Sequence, residues 1–461
     1  MSTTDKNRIL MFGNEAIAHG AREAGCYFAV AYPGTPSTEI LEVFSTLPGI
    51  FAKWSPNEKV ALEVGIGSSL TGTRTLVTMK HVGVNVAMDP LMTFTYTGVR
   101  GGFVLVSADD PEMHSSQNEQ DNRILARFAK IPVFDPSDSQ DAHDFTKLAF
   151  EVSERFNTPV MLRETTRIAH AKGLVTLGEW REPVRGEHFT REIERFVMMP
   201  IFAKPRHTFA ENRTRELHKF SNEWEGNRLE LNSADVGFIS AGVAYNYIRE
   251  LMPEASFLKV GMPWPFPDEK ARKLTEHCKR VIVVEELEPF LEEEAKIAGI
   301  AVEGKKYFPR EGELNLDKVA RGLFDAGLIG ESPIPVKGEP VIPRPPVLCA
   351  GCPHRGIYMA LKKVNADVYG DIGCYTLAAL PPLESLHTCF CMGASIGNSI
   401  GAKLAERDPK HPQVAVIGDG TFFHSGLTGL LDAVTSNVNI TIVIVDNDIT
   451  AMTGGQQNPG T

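Results

Sequence analysis

Short apolar runs of strand length alternate along the chain with longer stretches whose apolar residues recur every three or four positions. Residues 28–33 (FAVAYP), 74–79 (RTLVTM), 102–108 (GFVLVSA), 131–136 (IPVFDP) and 158–164 (TPVMLRE) read as buried strands. Glu58–Leu70 and Ser139–Phe156 read as helices between them. Such alternation predicts a parallel sheet with helices packed on its faces. This first block covers residues 1–180. Residues 181–232 are charged and mixed, and predict a connecting arm with a helix over 210–225. A second block, 233–330, opens on ADVGFISAG (234–242), a strand entering a glycine turn and a helix, and carries a further strand in VIVVEE (281–286). Residues 331–346 contain six prolines, which suits an extended linker and neither helix nor sheet core. A third block covers 347–461. The predicted fold class is α/β, with three parallel-sheet domains.

Composition narrows the partners. The 461 residues, 43% of them hydrophobic, suffice for two to four domains. The net charge is −11, with no run rich in Lys or Arg, so nucleic acid is not an expected partner. A small anion would need a local cationic site. The polar start, MSTTDKNRIL, does not resemble a signal peptide, and the longest apolar runs are strand-sized. A cytoplasmic protein that spans no membrane is expected. Seven cysteines, an odd number, argue against structural disulfides. Five of them (Cys349, Cys352, Cys374, Cys389 and Cys391) fall within 43 residues.

The densest signal lies near the end, in VAVIGDGTFFHSGLTGLLDAVTSNVNITIVIVDND (414–448). Residues 413–417 predict a strand. Gly418 and Gly420 permit a tight turn and close backbone approach. Leu427, Leu430, Leu431 and Val434 then follow at helical spacing, and 439–445 predicts the next strand. A helix start directs N–H groups and partial positive charge at whatever occupies the turn, which suits a phosphate. Asp419 and Asn447, 28 positions apart, leave parallel strands at the same sheet edge, where open α/β sheets bind ligands. One carboxylate and one amide oxygen suit a hard cation such as Mg²⁺. Neither GxGxxG nor a GK[ST] P-loop accompanies them, so this is not a nucleotide signature.

GDG, about thirty residues and an Asn resemble the thiamine diphosphate motif. CAGCPHRG, GDIGCYTL, FFHSGLTGLL and TAMTGGQQNPGT, with YPGTPSTEILE, MKHVGVNVAMDPL and ADDPEMHSSQNEQD nearer the N-terminus, extend the likeness over essentially the whole chain. It resembles the α subunits of indolepyruvate:ferredoxin oxidoreductases, within the thiamine diphosphate-dependent 2-oxoacid:ferredoxin oxidoreductases. The resemblance implies a pyrimidine-binding domain at 1–180, a transketolase C-terminal-like domain at 233–330, and a diphosphate-binding domain at 347–461, incomplete at its end. It implies Mg²⁺ ligation by Asp419, Asn447 and the carbonyl of Ile449, with Gly418, Gly420 and Thr421 in the cofactor turn. It implies Glu58 as the carboxylate that engages the aminopyrimidine. Glu58 also reads, on its own, as a first-turn acid that complements its helix dipole. Thr35, in YPGTPS, matches the threonine that meets the substrate carboxylate. Related pyruvate enzymes add an Arg for that carboxylate, and no Arg here is matched to it. His81 is a candidate acid/base or aryl-pocket residue, or else a buried structural histidine, and His114 reads the same way.

Cys349-x-x-Cys352, with Cys374 22 positions later, is an incomplete thiolate set that suits Zn²⁺, an iron–sulfur cluster completed by Cys389, Cys391 or another ligand, a CxxC redox pair, or simply reduced buried thiols. The resemblance implies a [4Fe–4S] site whose fourth cysteine lies beyond the thiamine motif in relatives. Here the sequence stops 14 residues after Asn447, so the expectation is a fragment, or a ferredoxin-like tail carried on another chain. The implied reaction is oxidative decarboxylation of an aryl pyruvate to its coenzyme A thioester, with electrons passed to ferredoxin. A homodimer core and a smaller β subunit are the implied partners. A non-oxidative thiamine diphosphate decarboxylase or ligase, and a non-catalytic binding subunit, are the alternatives.

Overall fold

The computed structural model describes residues 7–330, 342, 346–406 and 410–461. The chain divides into two compact units, Met1–Val336 and Lys337–Thr461. The first two expected blocks thus lie in one unit. The proline-rich linker of 331–346 falls outside the described residues, apart from Ile342 and Pro346. No helix among the described residues is long and apolar enough to cross a membrane.

In the first unit the strands are β1 (Arg8–Phe12), β2 (Phe28–Ala31), β3 (Phe51–Trp54), β4 (Thr75–Lys80), β5 (Phe103–Asp109), β6 (Val133–Phe134), β7 (Val160–Thr165), β8 (Lys172–Thr176), β9 (Arg228–Glu230), β10 (Val236–Ser240), β11 (Ser256–Lys259) and β12 (Arg280–Val284). A six-stranded parallel sheet has the order β3-β2-β4-β5-β7-β6. Its central strands read as continuous apolar runs because both faces are covered. Ile17, Leu41, Phe44 and Phe150, from three helices, pack on one face. Leu62, Val84, Leu91 and Phe94, from Glu58–Leu70 and His81–Thr97, pack on the other. Full burial of each such side chain contributes about 1.5–3 kcal/mol.

A smaller sheet has the order β12-β10-β11-β9, with β9 antiparallel, and β1 pairs with β8 in a two-stranded antiparallel ribbon. Buried ion pairs run through the first block, and one of them reaches the second. Arg163 on β7 meets Asp109 at 2.9 Å and Asp135 at 3.1 Å. Arg123 pairs with Asp121 and, across to the second block, lies 3.0 Å from Glu285.

The second unit has a three-stranded parallel sheet, β13 (Asp367–Tyr369), β14 (Gln413–Gly418) and β15 (Thr441–Val445), in the order β13-β14-β15. Its helices Ala394–Ala405 and Leu427–Thr435 share a small core of Ile396, Ile400, Ala415, Ile417 and Ala433. The apolar stripe expected to bury the latter helix does not do so. Leu427, Leu431 and Val434 are exposed, and only Ala433 of that helix is buried.

Candidate functional site

The geometry is sharpest in the second unit. β14 and β15 pair in parallel with Gly418 opposite Val445, so Asp419 and Asn447 leave the same edge one and two residues later. Asp448 adopts a left-handed conformation (φ 61°), steadied by its N–H donating to Asp446 Oδ1 at 3.0 Å. The chain turns there, and three groups converge: Asp419 Oδ1, the Asn447 amide and the Ile449 carbonyl. With its nitrogen inward, the amide donates to Ile449 O at 2.9 Å and to Asp419 Oδ1 at 3.2 Å. With its oxygen inward, three oxygen ligands stand at those same spacings. Mg²⁺ holds oxygens octahedrally at about 2.0–2.1 Å, which separates neighbouring ligands by about 2.9 Å. The donor set therefore fits Mg²⁺. The other carboxylate oxygen of Asp419 accepts from Asn458 Nδ2 at 2.7 Å, which fixes the rotamer.

The glycines of the motif act differently from expectation. Gly418 has φ −76°, and a helical turn begins directly at Asp419, so no tight turn with positive φ is present. Glycine is needed at 418 for space, since a Cβ there would lie 2.7 Å from the Tyr375 ring. At Gly420 a Cβ would meet Thr450 Oγ1 at 3.1 Å. The expected helix is interrupted by a π-helical segment, Phe422–Gly426, before Leu427–Thr435. Thr421 is buried and its hydroxyl donates to Ile372 O at 2.9 Å, tying the turn to the GDIGC loop.

Three further residues of this unit escaped the sequence reading. Asn458 lies in TAMTGGQQNPGT, a stretch that carried only the family likeness. Asp371 is fully buried at the end of β13 and accepts from the N–H groups of Ile372 (2.9 Å), Gly393 (2.8 Å) and Ser395 (3.0 Å). It caps the helix Ala394–Ala405 and anchors the loop that carries Cys374; burial pushes its carboxyl up. His354 is buried edge-on to Tyr375, and among the described residues neither ring nitrogen has a hydrogen-bond partner. Burial lowers its basicity, while the nearby Asp419 carboxylate opposes that. A buried imidazole with two unused nitrogens beside the clamp fits a phosphate oxygen.

The cysteines are grouped but not gathered. Burial raises the Cys374 thiol, and Cys349 and Cys352 lie near enough to raise it further. Cys389 and Cys391 neighbour each other and Asp371 instead, with Cys389 Sγ 3.8 Å from Asp371 O. Among the described residues, no three His, Cys, Asp or Glu side chains are arranged around one metal position. The trio alone, as placed, does not form a cluster site.

In the first unit the candidates cluster at the C-terminal edge of the six-stranded sheet. Thr35 follows β2, Glu58 follows β3, and Lys80 and His81 end β4 and begin the next helix. Asn57 caps the helix of Glu58 by accepting from Val60 N at 2.8 Å. The Glu58 side chain is buried against Gly83, where a Cβ would come within 2.7 Å of Oε1. Thr35 is half-buried, and its carbonyl accepts from Ser115 Oγ at 3.4 Å. His81 is fully buried. Its Nε2 lies 3.3 Å from both oxygens of Asn118, so only Nδ1 is unengaged. His114 sits at the surface, 3.6 Å from Glu313.

Comparison with known proteins agrees with this layout. Residues 19–218 match the family model described as pyruvate flavodoxin/ferredoxin oxidoreductase, thiamine diphosphate-binding. Residues 371–461 match that of the thiamine pyrophosphate enzyme C-terminal binding domain. The sequence is 42% identical to indolepyruvate oxidoreductase subunit IorA of Archaeoglobus fulgidus, aligning 98% of this chain with 77% of the relative. The like-named subunit of Methanothermobacter thermautotrophicus is 40% identical over 100% of this chain and 78% of its own. Among solved structures, 2-oxoglutarate:ferredoxin oxidoreductase from Magnetococcus marinus shares the fold. The TM-score is 0.56 at 19% identity, over 65% of this chain and 62% of that one.

Proposed function

The chain belongs to the indolepyruvate oxidoreductase IorA family, and we propose that Asp419, Asn447 and the Ile449 carbonyl hold Mg²⁺ and through it the diphosphate of thiamine diphosphate. The observation that carries this reading is the convergence of those three groups at 2.9 and 3.2 Å. Bound there, the cofactor supplies the chemistry that removes CO₂ from an aryl 2-oxo acid. The chain's own residues orient and shield. Asp419 and Asn447 fix the metal end. Gly418 and Gly420 let the backbone approach, Thr421 locks the turn, and His354 offers an N–H to a phosphate oxygen. Glu58, held against Gly83 at a helix start, is proposed to engage the aminopyrimidine. Thr35 is proposed to meet the substrate carboxylate, and His81 Nδ1 is the one acid/base atom of that ring left for a ligand.

Oxidation needs an electron path and an acyl acceptor. Ferredoxin and coenzyme A are the proposed partners, with a homodimer core, a smaller β subunit and a cytoplasmic location. Cys349, Cys352 and Cys374 are the proposed thiolates of a [4Fe–4S] cluster, with a fourth ligand outside the trio; cluster absorbance after anaerobic iron and sulfide reconstitution tests this. The deciding experiment for the main reading is calorimetry with thiamine diphosphate and Mg²⁺. Wild-type protein binds, and Asp419→Ala loses binding by at least ~100-fold, as removal of a buried charged ligand requires. Unchanged affinity in that variant would sink the reading.

A further inference from the structure

We propose that Lys80 is the cation of a buried carboxylate subsite at the C-terminal edge of the six-stranded sheet, and that it receives the acid end of the 2-oxo acid. The proposal rests on the function read above and adds to it the group that recognises the substrate's charge.

Lys80 is the last residue of β4 and only 8% exposed. Lysine is almost never so buried without a partner of opposite charge. Its ammonium donates to Ser115 O at 2.7 Å and to Ser115 Oγ at 3.3 Å, both uncharged. An ammonium has three donors, so one is left without a protein acceptor among the described residues. The neighbouring carboxylate, Asp110, forms no ion pair with it. Asp110 is committed elsewhere: Oδ2 accepts from Ser115 N at 2.9 Å and from Ser116 Oγ, and Oδ1 accepts from Thr166 Oγ1 at 2.7 Å. Burial pulls the ammonium down to about 8, with Asp110 opposing only in part. A buried ammonium with a spare donor and no directly paired carboxylate is the electrostatic complement of a small anion.

Its position identifies the anion. Ser115, which holds the ammonium, also donates through Oγ to the Thr35 carbonyl at 3.4 Å. The Lys80 stem passes against Gly34, where a Cβ would stand only 3.0 Å from the lysine Cβ. The backbone at Gly34 and Thr35 and the Lys80 ammonium therefore border the same place, joined through Ser115. Glu58 and His81 leave the same sheet edge. A chain with a net charge of −11 repels anions at long range, so a 2-oxo acid needs such a local cation. The competing role is purely structural: Lys80 would tie the loop at Ser115 to the sheet.

The intact enzyme, loaded with thiamine diphosphate and Mg²⁺, is titrated calorimetrically with an unreactive 3-arylpropionate and with its uncharged carboxamide. The wild type prefers the acid. Lys80→Met weakens acid binding by ~100-fold, as loss of a buried charge partner does, and leaves carboxamide and cofactor affinity unchanged. Lys80→Arg keeps the charge and most of the preference. With no uncompensated ammonium, the methionine variant also melts at a higher temperature than the ligand-free wild type. Equal loss for acid and carboxamide would assign Lys80 to loop-tying and overturn the proposal, as would a methionine variant that still prefers the acid. A wild type that binds neither probe would overturn the aryl 2-oxo acid reading itself, and the lysine's role with it.

Discussion

At the scale of single residues, the clamp was legible because its spacing encodes a topological step. Strand, helix and strand of these lengths return the chain to the same sheet edge, so 28 positions between Asp419 and Asn447 already place them together. Asn458, Asp371, His354 and Lys80 were not legible, because each depends on the path of an irregular loop. Nothing in the order of residues says that Asn458 returns to Asp419, or that Ser115 meets Lys80. Glu58 is an intermediate case. Its place at a helix start was readable, whereas its contact with Gly83, which separates it from an ordinary first-turn acid, needed the fold. Glu58→Gln preserves shape and burial while removing the charge. Turnover is expected to fall by ~100-fold or more, the range of a lost proton-transfer partner, with thiamine diphosphate affinity nearly unchanged by calorimetry. Wild-type turnover would show that Glu58 is only a helix-start residue.

At the scale of elements, the helices Glu58–Leu70 and Ser139–Phe156 have the bounds that the helical pattern predicts. The arm helix does not. It runs Pro200–Glu223 and begins ten residues before the expected 210, although Pro205 gives up the bond to Ile201 O. Tertiary contacts outweigh that cost: Arg206 donates to Tyr96 O and Thr97 O, and Arg213 to Thr95 O, satisfying the carbonyls that end the His81–Thr97 helix. Those partners lie over a hundred positions away, beyond any local pattern. Packing of Gly13–Glu23 on Ser139–Phe156 makes a pH-dependent prediction. Burial would raise the Glu23 carboxyl, but His143 at 3.0 Å and Lys147 at 2.6 Å hold it at about 2. His143 is raised in turn: burial lowers it, and Asp144 and Glu23 prevail. A depressed Glu23 stabilises fully above about 4.5 and loses that contribution as pH falls toward 2. A raised His143 stabilises fully below about 6.5 and loses its share as pH rises through its folded value. Glu23→Gln should therefore lower the melting temperature most between pH 4.5 and 6.5. The gap should close toward pH 2, and only narrow at high pH, where Lys147 keeps its charge. A gap independent of pH in thermal melts would refute the pairing.

At the scale of the whole molecule, the first 330 residues were read as two blocks and form one unit, and a network of buried charge in the first block reaches the second through Arg123 and Glu285. Arg163 lies between Asp109 and Asp135, and Arg123 between Asp121 and Glu285, all fully buried. Burial raises the carboxyls of Asp109 and Asp135 even with the guanidinium in place, and Glu286, facing the same network, reaches about 7. Such an arrangement adds little net stability over an apolar one, yet breaking it from one side is costly, because it strands like charges in a medium that solvates them poorly. Arg163→Met should destabilise the first unit by about 3–5 kcal/mol. The sign of its pH dependence follows from the same burial. With folded carboxyls raised above their unfolded values, the folded state binds more protons, so stability falls as pH rises. The loss in the variant should be larger at pH 8 than at pH 5, where Asp109 and Asp135 can take up the protons that replace the missing cation. Urea unfolding followed by tryptophan fluorescence reads this directly, since Trp54, Trp180, Trp224 and Trp264 all lie in the first unit. A variant as stable as wild type at both pH values would show that Asp109 and Asp135 do not depend on Arg163 for their burial, and would refute the network.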